Sequence, residues 1–187
     1  MRAIVGGIPG VGKSTVLDLL RARLGPRLDV VNYGTVMMDE ARLRGVANRD
    51  EMRRLPAQVQ REIQASAAKR IASAQAEYLI VDTHFSIRTP QGYLPGMPLH
   101  VVSAMSPDVL VVIAASPEEI SYRRAADTSR IRDASLESVR EELEMEKLFA
   151  VAASNESGAP LSIIMNRQGE AEKAAGELAS IMGVRSR

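Results

Sequence analysis

The chain has 187 residues, a formal net charge of +1, 45% hydrophobic residues and 25% charged ones. That length suits one large domain with a sheet covered on both faces, and with a near-neutral charge no nucleic-acid or membrane partner chosen by bulk electrostatics is expected. With no cysteine, disulfides, a thiol nucleophile and cysteine-ligated zinc are excluded, and a reducing, cytoplasmic setting is expected.

In chain order, Arg2-Ala3-Ile4-Val5-Gly6 reads as a short buried strand. Gly7-Ile8-Pro9-Gly10-Val11-Gly12-Lys13-Ser14 follows and fits the phosphate-loop pattern G-x-x-x-x-G-K-[ST] at every fixed position. Thr15-Val16-Leu17-Asp18-Leu19-Leu20 then opens a helix. The glycines let the backbone curl round an anion so that several N–H groups point inward, and the helix N-terminus adds its positive dipole end. Lys13 is expected to reach the β- and γ-phosphates of a nucleoside triphosphate, and Ser14 to hold Mg²⁺. Such a lysine is expected to be exposed until the ligand arrives. With strand and loop at the start of the chain, no signal peptide is expected, and no apolar run approaches membrane-spanning length.

Further strands are expected at Leu28–Val31, Tyr78–Val81, Val109–Ala114 and Leu161–Met165. After the second come Asn32-Tyr33-Gly34-Thr35 and a helix carrying Met37, Met38 and Leu43, with Thr35 read as its cap or a ligand contact. Arg49-Asp50-Glu51-Met52-Arg53-Arg54 packs three arginines beside two acids, as a surface ion-pair cluster does. Val59, Ile63, Ala67 and Ile71 recur every four residues, the spacing of one buried helix face, with Pro56 near its start.

The strand Tyr78-Leu79-Ile80-Val81 ends in Asp82, the shape of a Walker B element whose carboxylate helps hold Mg²⁺. His84 is read as a structural hydrogen-bonding residue rather than a base. Thr83 through Pro98, with three prolines and two glycines, is expected to be an irregular loop, and Arg88 is its only fixed charge. Ser116-Pro117-Glu118-Glu119 is a capping box that opens a helix after the fourth strand. That helix ends in Arg123-Arg124, and Arg130 and Arg132 follow within ten residues, an arginine-rich segment suited to a lid over a triphosphate. Leu136, Val139 and Leu143 indicate another long helix, and Gly169 through Met182 a final one.

Strands alternating with helices, and reading as continuous apolar runs, argue a parallel sheet with right-handed crossovers. The expected fold is a three-layer α/β phosphate-loop NTPase with a central five-stranded parallel sheet and a short lid. Ligands of such sheets sit at the carboxyl ends of the strands. Only four lysines stand against twenty arginines, and arginine's planar fork grips phosphate at two points. Two anion sites are implied: the phosphate loop, and a second one lined from the Arg49–Arg54 and Arg88 regions. An acceptor that is itself a phosphate monoester is already mostly ionised near neutrality, with a second pKa of ~6, and needs cations more than a general base.

Several stretches together resemble one family, the archaeal-type adenylate kinases: residues 7–15, Val-Asn-Tyr-Gly-Thr-Val-Met at 31–37, Arg-Asp-Glu-Met-Arg at 49–53, Val-Asp-Thr-His at 81–84, Thr-Pro-Gln-Gly-Tyr-Leu-Pro-Gly at 89–96 and Arg-Ile-Arg-Asp at 130–133. The resemblance implies ATP + AMP giving two ADP, with Mg²⁺, from a single domain over residues 1–187. Carried over by position, Gly7, Ile8, Pro9, Gly10, Val11, Gly12, Lys13, Ser14 and Thr15 serve ATP, and Ser14 and Asp82 its metal. Thr35, Arg53, Arg88 and Tyr93 line the AMP site, within and beyond an AMP-binding region of about 33–75. Lys13, Arg124, Arg130 and Arg132 are catalytic, the arginines acting from a short lid of about 124–134. By position, Asn166-Arg167-Gln168 borders the ATP base. The family's homotrimers imply a homo-oligomer. Two other readings stay open: a phosphate-loop kinase acting on another monophosphate or on a hydroxyl, and a nucleotide-switched regulatory ATPase. A GTPase is disfavoured, because no [NT]-K-x-D guanine signature occurs.

Overall fold

A computed structural model of the chain describes residues 1–127 and 133–184. Five strands, β1 (Arg2–Gly6), β2 (Leu28–Asn32), β3 (Tyr78–Asp82), β6 (Val109–Ala114) and β7 (Leu161–Met165), form one parallel sheet in the order β2-β3-β1-β6-β7. Two further strands, β4 (Ser86–Thr89) and β5 (Gly92–Pro95), pair antiparallel between β3 and β6. The helices are α1 (Lys13–Leu24), α2 (Tyr33–Arg42), α3 (Arg49–Arg54), α4 (Ala57–Ala72), α5 (Leu99–Met105), α6 (Pro117–Ala126), α7 (Leu136–Ser157) and α8 (Ala171–Ile181).

Each expected sheet strand is present, because a strand covered on both faces must be apolar throughout and is legible as a run. Alternate residues of β1 serve opposite layers. Ala3 and Val5 join a core with Leu17 and Leu20 of α1 and Leu178 of α8, whereas Ile4 joins Ala67 and Ile71 of α4, Val101 of α5 and Ala150 of α7. In α4 the expected face is buried at Ile63, Ala67 and Ile71, with Pro56 as the N-cap residue. At α6, Ser116 Oγ accepts from the Glu119 N–H while the Glu119 carboxylate accepts from the Ser116 N–H, so the capping box is complete.

Two expectations need correction. Residues 83–98 are not an irregular loop, because the β4–β5 hairpin occupies them, with Arg88 opposite Tyr93 and Ile87 opposite Leu94. The prolines and glycines that suggest irregularity fall at the turn (Pro90), at the two ends of β5 (Gly92, Pro95) and beyond it (Gly96, Pro98), where they do not break the pairing. Thr35 does not cap α2. The helix begins at Tyr33, and Asn32 Oδ1 accepts from the Thr35 N–H at 3.0 Å and from its hydroxyl at 3.1 Å. The asparagine side chain reaches the third helical N–H, which is the N-cap's geometry.

The topology places one crevice. Chain connections lead to opposite sides of β1, with β3 on one flank and β6 on the other, so the loop leaving β1 lies at the switch point of the sheet.

Candidate active site

The phosphate loop runs from the end of β1 into α1, and its shape follows from what surrounds it. Gly7 has φ 147°, and a Cβ there would lie 2.5 Å from the Ile113 carbonyl oxygen. Gly12 has φ 81° and caps α1 without a side chain, and a Cβ on it would lie 2.4 Å from Asn166 Nδ2. Neither position accepts another residue without displacing backbone or a buried amide. Because no side chain caps α1, its first N–H groups remain available to an anion.

Cations and an amide hold the loop's carbonyls. Asn166 Nδ2 donates to Val11 O at 2.7 Å. The Arg123 guanidinium donates to the Gly10 and Val11 oxygens at 3.3 Å each and to Asn166 O at 3.2 Å. Arg124 Nε donates to Pro9 O at 2.9 Å, while its two terminal nitrogens reach the Glu142 carboxylate at 2.6 and 3.3 Å and one also meets Asp133 O at 2.8 Å. Three successive carbonyls of the loop, those of Pro9, Gly10 and Val11, are thus held by side-chain donors.

Lys13 is not exposed as expected. Its side chain is 11% exposed, with Nζ 2.7 Å from Asp82 Oδ1 and bonded to Thr83 O. Asn32 Nδ2 donates to the other Asp82 oxygen at 2.8 Å. That carboxylate ends β3, the strand next to β1 in the sheet. His84 sits beside this pair with Nδ1 2.7 Å from Gly7 O. A carbonyl only accepts, so Nδ1 carries the proton. Burial, and then the charge of Lys13, hold the imidazole below its ordinary pKa.

A cleft of about 630 Å³ opens over these groups, lined by the loop with Lys13, Ser14 and Asp82 on one wall and by Thr35 and Arg49 on the other. Arg123 and Arg124 border it as well. The Ser14 hydroxyl and Asp82 carboxylate are hard oxygen donors, and among the described residues no cluster of three or more His, Cys, Asp or Glu forms a ready metal cage. That donor set fits Mg²⁺, which keeps several waters and binds through one or two carboxylates plus phosphate oxygens.

A second hollow of about 190 Å³ adjoins the cleft, with Ile8, Pro9 and His84 on one side and Arg88, Tyr93 and Glu142 on the other. Arg88 donates to Ser138 Oγ at 2.5 Å and lies 3.6 Å from both Glu141 and Glu142, with 47% of its side chain exposed. The sequence-derived residues therefore divide. Gly7, Ile8, Pro9, Gly10, Gly12, Lys13, Ser14, Asp82, Thr35 and Arg124 line the main cleft, and Arg88 and Tyr93 the adjoining hollow. Val11 is buried in the core and Thr15 lies outside both linings. Arg53 also lies outside both, 65% exposed and 3.2 Å from Asp50, whereas Arg49, one helical turn earlier, lines the cleft. Arg130 and Arg132 fall outside the described residues.

Sequence reasoning passed over Asn32 and Glu146, and read Arg123 only as part of the arginine-rich lid segment. Of the two passed over, only Glu146 left a signal. Val139, Leu143, Glu146, Ala150 and Ala153 recur at steps of four and three, so a glutamate occupies a core position of α7, and all five are buried.

A family model described as "AAA domain" matches residues 6–141. The adenylate kinase of Thermoplasma acidophilum is 45% identical over 186 residues, covering 98% of this chain and 100% of that protein. That of Pyrococcus horikoshii is 40% identical, covering 96% and 93%. Among solved structures, shikimate kinase from Acinetobacter baumannii in complex with shikimate shares the fold, with TM-score 0.59 at 15% identity over 100% of this chain and 95% of that one. A phosphate loop at the switch point of a five-stranded parallel sheet, and identities of 45% and 40% along almost the whole length, place the chain in the adenylate kinase family, as a phosphate-loop nucleoside monophosphate kinase.

Proposed function

We propose that the protein catalyses reversible, Mg²⁺-dependent phosphoryl transfer from ATP to AMP, giving two ADP. The observation that carries this reading is the pairing of two cation-lined walls across one cleft: the phosphate loop with Lys13, and Thr35 with Arg49, with Arg88 in the adjoining hollow. Two anions must approach each other for transfer between phosphates, and repulsion is the main barrier to their meeting. Of the candidate bases nearby, Asp82 is held by Lys13 and Asn32, and His84 is oriented by its Nδ1–H on Gly7 O. An acceptor that arrives ionised needs neither.

In this reading residues 7–15 hold the ATP phosphates. Lys13 exchanges Asp82 for the β- and γ-oxygens, and Asp82 and Ser14 hold Mg²⁺, which neutralises charge on the bridging phosphates. Thr35, Arg88, Tyr93 and the α3 arginines orient AMP within residues of about 33–75 and the hairpin. Arg124 anchors the base of a short lid of about 124–134, from which Arg130 and Arg132 supply further cations to the transferring group. The whole chain acts as one domain in the cytoplasm. We place it in a homotrimer, a reading supported by the apolar Ile163 and Met165 left exposed on one face of edge strand β7. Light scattering on the purified protein tests that assembly.

The deciding experiment is a coupled assay with ATP and a panel of AMP, UMP, CMP, GMP and shikimate. AMP is expected to be phosphorylated fastest, and faster turnover of any other acceptor overturns the assignment.

A further inference from the structure

Glu146 is fully buried, and no lysine or arginine among the described residues forms an ion pair with it. An ionised carboxylate in such a place is costly unless hydrogen bonds replace its water. Four do. Oε1 accepts from the Gly7 N–H at 2.8 Å and the Phe85 N–H at 2.9 Å, and Oε2 accepts from the Ser86 N–H at 2.8 Å and its hydroxyl at 2.9 Å. One of these donors opens the phosphate loop, and the others open the hairpin that carries Arg88 and Tyr93. The same peptide neighbourhood is gripped from the other side, since His84 Nδ1 bonds Gly7 O. Packing leaves no slack: a Cβ on Gly6 would lie 2.3 Å from the Phe85 ring and 2.9 Å from Glu146 Oε1.

We propose that Glu146 is a positioning residue whose buried carboxylate yokes the first turn of the phosphate loop to the start of the hairpin, so that filling the loop with triphosphate is felt at the acceptor hollow. The proposal rests on the reading of two substrate sites given above and adds the group that links them. The nucleotide cannot draw the Gly7 amide towards its phosphates without loading the bond to Oε1. The carboxylate is rigid and planar, so the load passes to the Phe85 and Ser86 amides. Coupling of this kind is reciprocal, so acceptor binding must tighten triphosphate binding by the same factor. A leucine in this helix position would pack well and transmit nothing.

The test uses the full-length protein, Mg²⁺ and β,γ-imido-ATP, with amide exchange of Gly7, Phe85 and Ser86 followed by NMR. In the wild type, the analogue alone should slow exchange at Phe85 and Ser86 as well as at Gly7. Glu146→Gln keeps the shape but turns an amide N–H₂ against backbone donors. It should confine the response to Gly7, lower kcat by about tenfold to a hundredfold, and abolish the mutual tightening of analogue and AMP, expected at about fivefold in the wild type. A wild-type response confined to Gly7 overturns the yoke, and that result needs no variant to fold. A folded Glu146→Gln protein that loses thermal stability but keeps both the shared response and the mutual tightening assigns Glu146 to packing alone and also overturns it. Failure of AMP in the acceptor panel is a separate outcome, since it rejects the adenylate reading while the response to the analogue still decides the yoke.

Discussion

The two walls of the cleft are held by different kinds of contact. Around the phosphate loop the bonds join distant parts of the chain: Gly7 to Glu146 across 139 residues, Pro9 to Arg124 across 115, and Val11 to Asn166 across 155. On the opposite wall they are mostly local. Asn32 bonds Thr35, Asn48 bonds Glu51 and Asp50 bonds Arg53, each three residues away, and beyond Tyr33 and Val36, which join the large core, the apolar support is a small cluster of Met38, Ala41, Val46 and Ile63. The loop wall opens only if much of the fold opens with it, whereas α2 and α3 keep their own bonds when they shift. Anion-binding geometry is therefore prepaid on the donor side, and adjustment to substrate falls to the acceptor side.

The largest effect expected from breaking this contrast is at Lys13. Its replacement by Ala should lower turnover by roughly 10²–10³-fold, as for other groups that stabilise transferring charge. Because Asp82 then loses its cation, the melting temperature should fall too, which an exposed lysine would not cause. Wild-type-like turnover in the coupled assay would overturn the assignment of the loop.

Next comes Arg124, which is 4% exposed and bonds Pro9, Asp133 and Glu142 at once. Arg124→Ala leaves the largely buried Glu142 with only its longer contacts, to Arg88 at 3.6 Å and to the Ser138 hydroxyl at 3.4 Å, and should cost about 3 kcal/mol of stability in urea denaturation. Arg124→Lys should recover little, since a point charge cannot span three acceptors. Full rescue by lysine would show that charge alone is needed there.

On the acceptor wall the effects should be smaller and specific to one substrate. Arg49→Ala and Arg88→Ala should each raise the KM for AMP by roughly tenfold, the scale of one charge-assisted hydrogen bond, with the KM for ATP little changed. Arg53→Ala should do less, because its side chain points away from the lining and pairs with Asp50. A selective rise in the ATP KM would mean that the two sites are exchanged.

The smallest effect concerns acidity. His84 holds its proton less readily in the folded chain than in the unfolded one, so the unfolded state binds more protons as pH falls through the imidazole range. Stability should therefore decline from neutrality down to the depressed folded pKa and level off below it. Thermal melts of wild type and His84→Gln between pH 7 and 5 should show that part of the slope only in the wild type.

How much of this was legible before the structure depends on the range of the interaction. The loop, the five sheet strands, the capping box at Ser116 and the face of α4 are local patterns, and each stands where the sequence places it. The hairpin at 86–95 was obscured because proline and glycine mark turns and disorder alike. Arg49 and Arg53 lie one turn apart on α3, and spacing along a helix cannot say which of two turns faces a cleft.

By itself the sequence determined the phosphate loop, the parallel α/β architecture and the family, since these depend on backbone geometry, hydrophobic period and contiguous motifs. Only the tertiary structure decided that Asp82 holds Lys13, that Asn166 and Arg123 hold the loop's carbonyls, and that the carboxylate of Glu146 joins loop to hairpin. Those choices rest on bonds between segments more than sixty residues apart. A one-dimensional pattern shows that a charged residue sits on an apolar face, but not which backbone amides will meet it there.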